Sequence, residues 1–198
     1  MSRLYRNGLP HLACIKKAIF MRGRGKLILK TGKKKVKLKP YIEKLSKSNE
    51  FKKFTAKNPQ AYLAAGFFVI DLVEGKNIHQ LDYYHPDNKK MTTFTLDKGV
   101  EAKESDSANE IVPKKINAEV NLDLDIIKGL VEDEMKNNII TTKLQKIIAV
   151  LQNLDNKLIW NLNCITTDMG IIKVHIDDDS HSILKFEKIN LFDIVRKI

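Results

Sequence analysis

The stretch Lys157–Lys188, KLIWNLNCITTDMGIIKVHIDDDSHSILKFEK, decides how the rest of the chain is read. Leu158, Trp160, Leu162 and Cys164 fall on one parity, with Asn161 and Asn163 between them. A period of two marks a strand with one buried face and one wet face. Thr166-Thr167-Asp168 interrupts the run, and Ile172, Val174 and Ile176 resume it against Lys173, His175 and Asp177. A second polar break, Asp178-Asp179-Ser180-His181, leads to Leu184 and Phe186 alternating with Lys185 and Glu187. The pattern predicts an antiparallel three-stranded meander, which needs a helix over its apolar face.

Candidates for that helix lie immediately upstream. Leu144, Ile147, Ile148 and Leu151 recur at three-four spacing behind Thr141 or Thr142 as cap, which predicts an amphipathic helix roofing the Trp160 sheet. Before it, Asn121 or Asp123 caps a helix with Ile127, Leu130, Val131 and Met135 on one side. Its Gly129 costs about 1 kcal/mol relative to alanine. Asn190 is placed to cap a last helix, Leu191–Lys197.

The first half repeats this order. Pro40 suits the first turn of a helix carrying Tyr41, Ile42 and Leu45, and Ser48 caps a further turn with Phe51 and Phe54. Asn58-Pro59 is read as the start of a short helix, PQAYLAAG, ended by Gly66. Strands follow at Phe67–Val73, Ile78–Tyr84 and Met91–Leu96, separated by Glu74-Gly75-Lys76-Asn77 and His85-Pro86-Asp87-Asn88. Val100–Lys103 could add an edge strand to an otherwise polar connector. The expected fold is therefore α+β, with two helix-plus-three-stranded antiparallel meander units at 40–104 and 121–198. A connector at 105–120 joins them, and a basic segment, 1–39, precedes them.

Ile171-Ile172-Lys173-Val174-His175-Ile176-Asp177, followed by a polar turn into Ile183-Leu184, resembles the PepSY module. In that family a v-x-V-D-x-x-T-G-x-V pattern spans the last hairpin. Val174, Ile176 and Asp177 match its first part, whereas Ser180-His181-Ser182 stands where the Thr-Gly would be. The resemblance covers residues 141–187 and implies a cystatin-like fold in a noncatalytic region that binds or inhibits partners, often outside the cell. The whole chain also resembles proteins of an archaeal type, a likeness that carries no function with it.

Charge is unevenly spread. Residues 1–60 hold 18 Lys or Arg and 2 acids, whereas 61–198 hold 17 basic and 22 acidic residues. The balance is thus +16 against −5, so the basicity belongs to one end of the chain. Arg22, Arg24, Lys26, Lys30, Lys33, Lys34, Lys35, Lys37 and Lys39 could neutralise several phosphates in a salt-dependent, sequence-independent way. Thr31-Gly32 offers a turn for a small basic hairpin over Lys26–Lys39. Met21 opens MRGRGKLILK, so a second reading starts the native chain there; a native peptide containing Tyr5 and Leu9 excludes it.

Catalytic and metal motifs are sparse. Cys14 and Cys164 have no CxxC spacing, which argues against a zinc site or disulfide framework and fits a reducing cytoplasm. Lys16 and Lys17 interrupt the nearest thing to a signal-peptide core, and no apolar run approaches the roughly 20 residues of a membrane span. His175, Asp177, Asp178, Asp179 and His181 match neither zinc nor calcium spacing and read as a charged hairpin turn. His79 and His85 flank Asp82, but a general base needs a partner and a pocket that the linear order does not show. No catalytic residue, metal or cofactor is expected. The expected function is a nonenzymatic protein-binding or regulatory module in the cytoplasm, with sequence-independent nucleic-acid association through the basic segment as the alternative.

Overall fold

A computed structural model describes residues 39–106, 112–116 and 119–190, which belong to one compact unit running from Lys34 onward. Among the described residues three helices, α1 (Lys39–Lys47), α2 (Asn49–Lys57) and α3 (Leu124–Asn137), accompany eight strands. The strands are β1 (Tyr62–Asp71), β2 (Ile78–His85), β3 (Lys90–Thr95), β4 (Glu101–Asp106), β5 (Leu144–Leu154), β6 (Lys157–Thr166), β7 (Gly170–Asp177) and β8 (Ile183–Asn190). All eight join one antiparallel sheet in the order β4-β3-β2-β1-β5-β6-β7-β8.

This overturns the expectation of two separate helix-plus-three-strand units, and with it the PepSY-like and cystatin-like reading. Each half is a four-stranded meander, and β1 pairs with β5 in register from Ala65↔Gln152 to Asp71↔Lys146, fusing the halves. Because β1 and β5 are central and antiparallel, an approximate twofold axis passes between them, normal to the sheet. Among the described residues two helices precede the strands of the first half and one those of the second, and four strands follow in each where three were expected.

Two expected helices are strands or parts of strands. The segment behind Thr141, expected as the roof, is β5. Its β-branched Ile147, Ile148 and Val150 favour extended backbone, where two γ-substituents pack freely. Its three-four apolar spacing arises because this central strand carries apolar side chains on both faces: Ile147, Ala149 and Leu151 are buried toward the helices, while half-buried Ile148 and Val150 point away. The helix expected from Asn58-Pro59 is also absent. Asn58 instead closes α2, its amide and its side-chain Nδ2 both donating to the Phe54 carbonyl, and β1 starts at Tyr62.

Two caps lie where their residue types place them. Ser48 Oγ accepts from the Phe51 amide at 3.1 Å, opening α2, and Asp123 Oδ1 accepts from the Ile126 amide at 2.8 Å, opening α3. Ile127, Val131 and Met135, four apart on α3, are buried. All three helices lie on one face of the sheet. There Leu45, Phe54, Ile127 and Val131 share a core with Phe68, Leu81, Phe94, Leu151, Trp160, Leu162, Ile172 and Ile176. Phe54 is the aromatic hub of the first half, with Phe94, His85 and Tyr83 ring centroids at 5.1, 5.2 and 5.7 Å.

The chain crosses from the β4 edge to α3 through 112–116 and 119–123. Tyr62 Oη donates to the Pro113 carbonyl and the Ile116 amide to the Leu63 carbonyl, while Ile116, Val120 and Leu122 are buried. Asp178 fastens the end of this crossing. It is 1% exposed and accepts hydrogen bonds from the Asn121 and Leu122 amides and from the Trp160 indole.

Candidate functional site

The basic run from Arg22 to Lys37 lies outside the described residues, as do the expected basic hairpin, Cys14 and the helix after Asn190. Lys39 opens α1. Two features of the described residues bear on function: a cleft on the helical side and the face of the sheet opposite the described helices.

The cleft, of about 360 Å³, lies over β1 and β6 between α1 and the start of α3. Phe68, Ile70 and Trp160 line it from the sheet, Pro40 and Tyr41 from α1, and Leu122, Asp123, Leu124, Asp125 and Lys128 from the α3 side. Gly66 makes room for its floor: a Cβ there would lie 2.8 Å from Phe68 Cε2. His79 also lines the cleft, its Nδ1 at 2.7 Å from Asp97 Oδ1, while its ring stacks on Tyr41 at 4.6 Å. The partner and the pocket that the linear order of His79 did not show are thus both supplied by the fold. Asp97 engages Nδ1 and leaves Nε2 as the other ring nitrogen. Among the described residues no Ser, Thr or Cys lines the cleft. The Tyr41 hydroxyl is pushed above its ordinary range by burial first, and then by the charges of Asp97, Asp125 and Asp123.

His85 does not join His79. Its ring bonds Thr92 Oγ1 at 2.7 Å and Asn58 Oδ1 at 3.1 Å and packs against Phe54, a satisfied structural histidine. The turn after β7 is likewise structural. Asp177 Oδ1 accepts from the amides of Asp179 and Ser180, and the Ser180 amide above all holds its carboxyl below the ordinary range. Among the described residues no group of three His, Cys, Asp or Glu is placed to hold a metal ion.

The opposite face of the sheet carries no described helix. Strand register places Phe67 opposite Val150 and Val69 opposite Ile148, so the two central strands carry an apolar quartet on this face, Val69 buried and the other three half-buried. Gln80, Asp82, Thr93 and Thr95 flank it on one side and Asn161, Asn163, Lys173 and His175 on the other. Gln80 donates to Thr95 and Thr93 donates to Asp82 at 2.6 Å. Burial raises the Asp82 carboxyl above its ordinary range in spite of the Thr93 hydrogen bond. Sequence alternation identified the wet side of β6 and β7 but missed the quartet, because β5 was read as a helix. The signal that could have found it is Asp155-Asn156. Both residues have positive φ, 49° and 63°, as a two-residue hairpin turn requires, so the preceding segment must be the strand paired with β6.

No family model matches the chain, and no curated protein does. The chain is similar in shape to the crystal structure of a "putative lipoprotein" from Clostridium difficile 630, at 16% identity and a TM-score of 0.47, over 78% of this chain and 94% of that one. That description conflicts with the cytoplasmic setting expected above; at such a TM-score the likeness carries neither location nor activity to this chain. Among the described residues no helix is long and apolar enough to cross a membrane.

Proposed function

We propose that this protein is a nonenzymatic binding module whose sheet face opposite the described helices docks on another folded protein. The observation that carries the reading is the apolar patch of half-buried Phe67, Ile148 and Val150 with buried Val69 at the centre of that face, extended by exposed Ile78 beside Val69 and flanked by amide, hydroxyl and charged side chains. An apolar centre inside a polar rim is the anatomy of protein interfaces, whereas a sheet face meant only for water alternates polar residues along its central strands. Asp82 supports the same reading. Its ionised form is disfavoured by burial where it sits, and a donor from a partner would offset that cost.

Photo-crosslinking tests this. A photoreactive residue placed at Asn163 or Thr95, on the sheet face, should give a discrete adduct with one partner protein in cells of the source organism. The same probe at Lys53 or Glu132, on exposed or partly exposed helical positions, should not. Phe67→Glu should remove the adduct while the circular dichroism spectrum is retained. Equal labelling from the helical positions, or an adduct indifferent to Phe67→Glu, refutes the docking face.

A second reading is favoured by charge. The exposed surfaces of α1 and α2 carry Lys47, Lys52, Lys53 and Lys57, which follow the basic run of Arg22–Lys39 in the sequence. Such a surface would bind nucleic acid without sequence preference, with affinity falling steeply as salt rises. A salt titration of the full chain on mixed RNA and DNA decides it: no retention at low ionic strength removes this reading.

A further inference from the structure

The strand order leaves two edges, β4 and β8, and among the described residues no strand pairs with the outer side of either. An unpaired edge offers its backbone donors and acceptors to another chain. The β4 edge is blunted by charge: every residue of the strand is exposed, and Glu101, Glu104 and Asp106 outnumber Lys103. The β8 edge is different. Ile183 and Phe186 pack against the core, Ile189 is half-buried, and Leu184, set out by a register shift against β7, is 55% exposed.

The side chains of β8 run close to a palindrome, Ile183-Leu184-Lys185-Phe186-Glu187-Lys188-Ile189. When an edge pairs antiparallel with a second copy of itself, the twofold axis stands normal to the sheet and each strand meets the other in reverse order. Centring that axis on Phe186 sets this ring against its own copy, Lys185 opposite Glu187 on both sides of it, and Ile183 opposite Ile189. Moving the centre by one residue either way sets Lys185 or Glu187 against its own copy instead. Opposite charges directly across a strand pair are favourable and like charges unfavourable, so one register is selected. Pairing with β7 places Lys185 beside His175 and Glu187 beside Lys173, so both charges lie on the face away from the helices. Within one chain Lys185 Nζ is 2.9 Å from Glu187 Oε2, and the twofold would join two such pairs into a ring of alternating sign. On the helical face Phe186, with Ile183 and Leu184, borders a groove of about 560 Å³ against Leu130 of α3, which leaves room for the ring of the second copy. We propose that the protein forms a twofold dimer by antiparallel pairing of β8 with β8 of a second copy, centred on Phe186. This surface is the edge of the sheet and is separate from the docking face.

Sedimentation equilibrium of the full chain should give a reversible dimer, twice the 22.7 kDa of one chain, that weakens as salt rises. Lys185→Glu and Glu187→Lys each set like charges across the axis and should each raise the dimer dissociation constant at least about tenfold. Both positions are exposed, and circular dichroism checks that each variant keeps its fold. Mixed in equal amounts, the two variants again set opposite charges across the axis and should form a heterodimer about as tight as the parent. Loss of the Lys185–Glu187 pair within one chain cannot produce that rescue. A parent that stays monomeric, single variants as tight as the parent, a mixture that fails to pair, or a mass that grows past the dimer with concentration, as β8 on β4 would give, overturns the proposal. The sheet-face crosslink depends on none of these results, so the two readings fail separately.

Discussion

Replacing Asp178 by alanine should destabilise this protein more than any other single surface-turn substitution in it. The carboxylate is 1% exposed; Oδ2 accepts from the Asn121 amide at 2.7 Å, and Oδ1 from the Leu122 amide at 3.1 Å and the Trp160 indole at 2.9 Å. Alanine strands three donors, each costing about 1–3 kcal/mol when buried without a partner. Asn121 is only half-buried and the vacated space admits a water, so the sum falls at the low end, about 3–4 kcal/mol. That is a large share of the roughly 5–15 kcal/mol holding a typical domain. Asparagine keeps one acceptor but turns an amino group toward a backbone N–H, and should cost about 2 kcal/mol. Urea unfolding of the three proteins, followed by Trp160 emission, measures the series. An alanine variant within about 1 kcal/mol of the parent would refute the reasoning, because stranded buried donors cannot be that inexpensive.

Four further outcomes are expected. Phe54→Ala, which empties the ring cluster of Phe94, His85 and Tyr83, should cost about 3–5 kcal/mol in the same urea assay. Gly66→Ala should push the Phe68 ring from its place and cost about 1–3 kcal/mol, with a shift of Trp160 emission because the two rings are neighbours. The Asp168 carboxyl is held down to about 2, first by the Thr166 hydroxyl and then by Lys188. A depressed carboxyl stabilises the fold above its unfolded value and loses that effect as pH falls through its folded one. Asp168→Asn should therefore lower thermal stability near neutrality, and the gap should close between about pH 4 and pH 2. Burial pushes the Cys164 thiol up to about 12, so Cys164 should resist a thiol-labelling reagent in the native protein and react once it is unfolded, as read by peptide mass spectrometry.

How far the sequence carries is clearest strand by strand. The edge-side strands β6 and β7 alternate cleanly because one face meets helices and the other meets polar surroundings; Asn161, Asn163, Lys173 and His175 mark that outer face. The caps at Ser48 and Asp123 are legible too, because a cap is a local hydrogen bond between near neighbours. β5 is illegible by periodicity, because a central strand with apolar side chains on both faces has no period of two to show. His79 is illegible for a different reason: its partner Asp97 is 18 residues away and its cleft wall comes from α1 and α3. Asp178, in a turn that reads as ordinary charge, is buried because the crossing chain at Asn121 and Leu122 comes to rest on it.

By itself, then, the order of side chains determined the caps at Ser48 and Asp123 and the alternation of β6 and β7 across the turn between them, since each depends on neighbours within a few positions. Only the tertiary structure decided that the two meanders share one sheet through β1 and β5. It also decided that an apolar quartet lies on the face away from the described helices and that a cleft opens beside α1. Those depend on which distant strands lie side by side, and pairing between segments some 80 residues apart leaves no period in the chain.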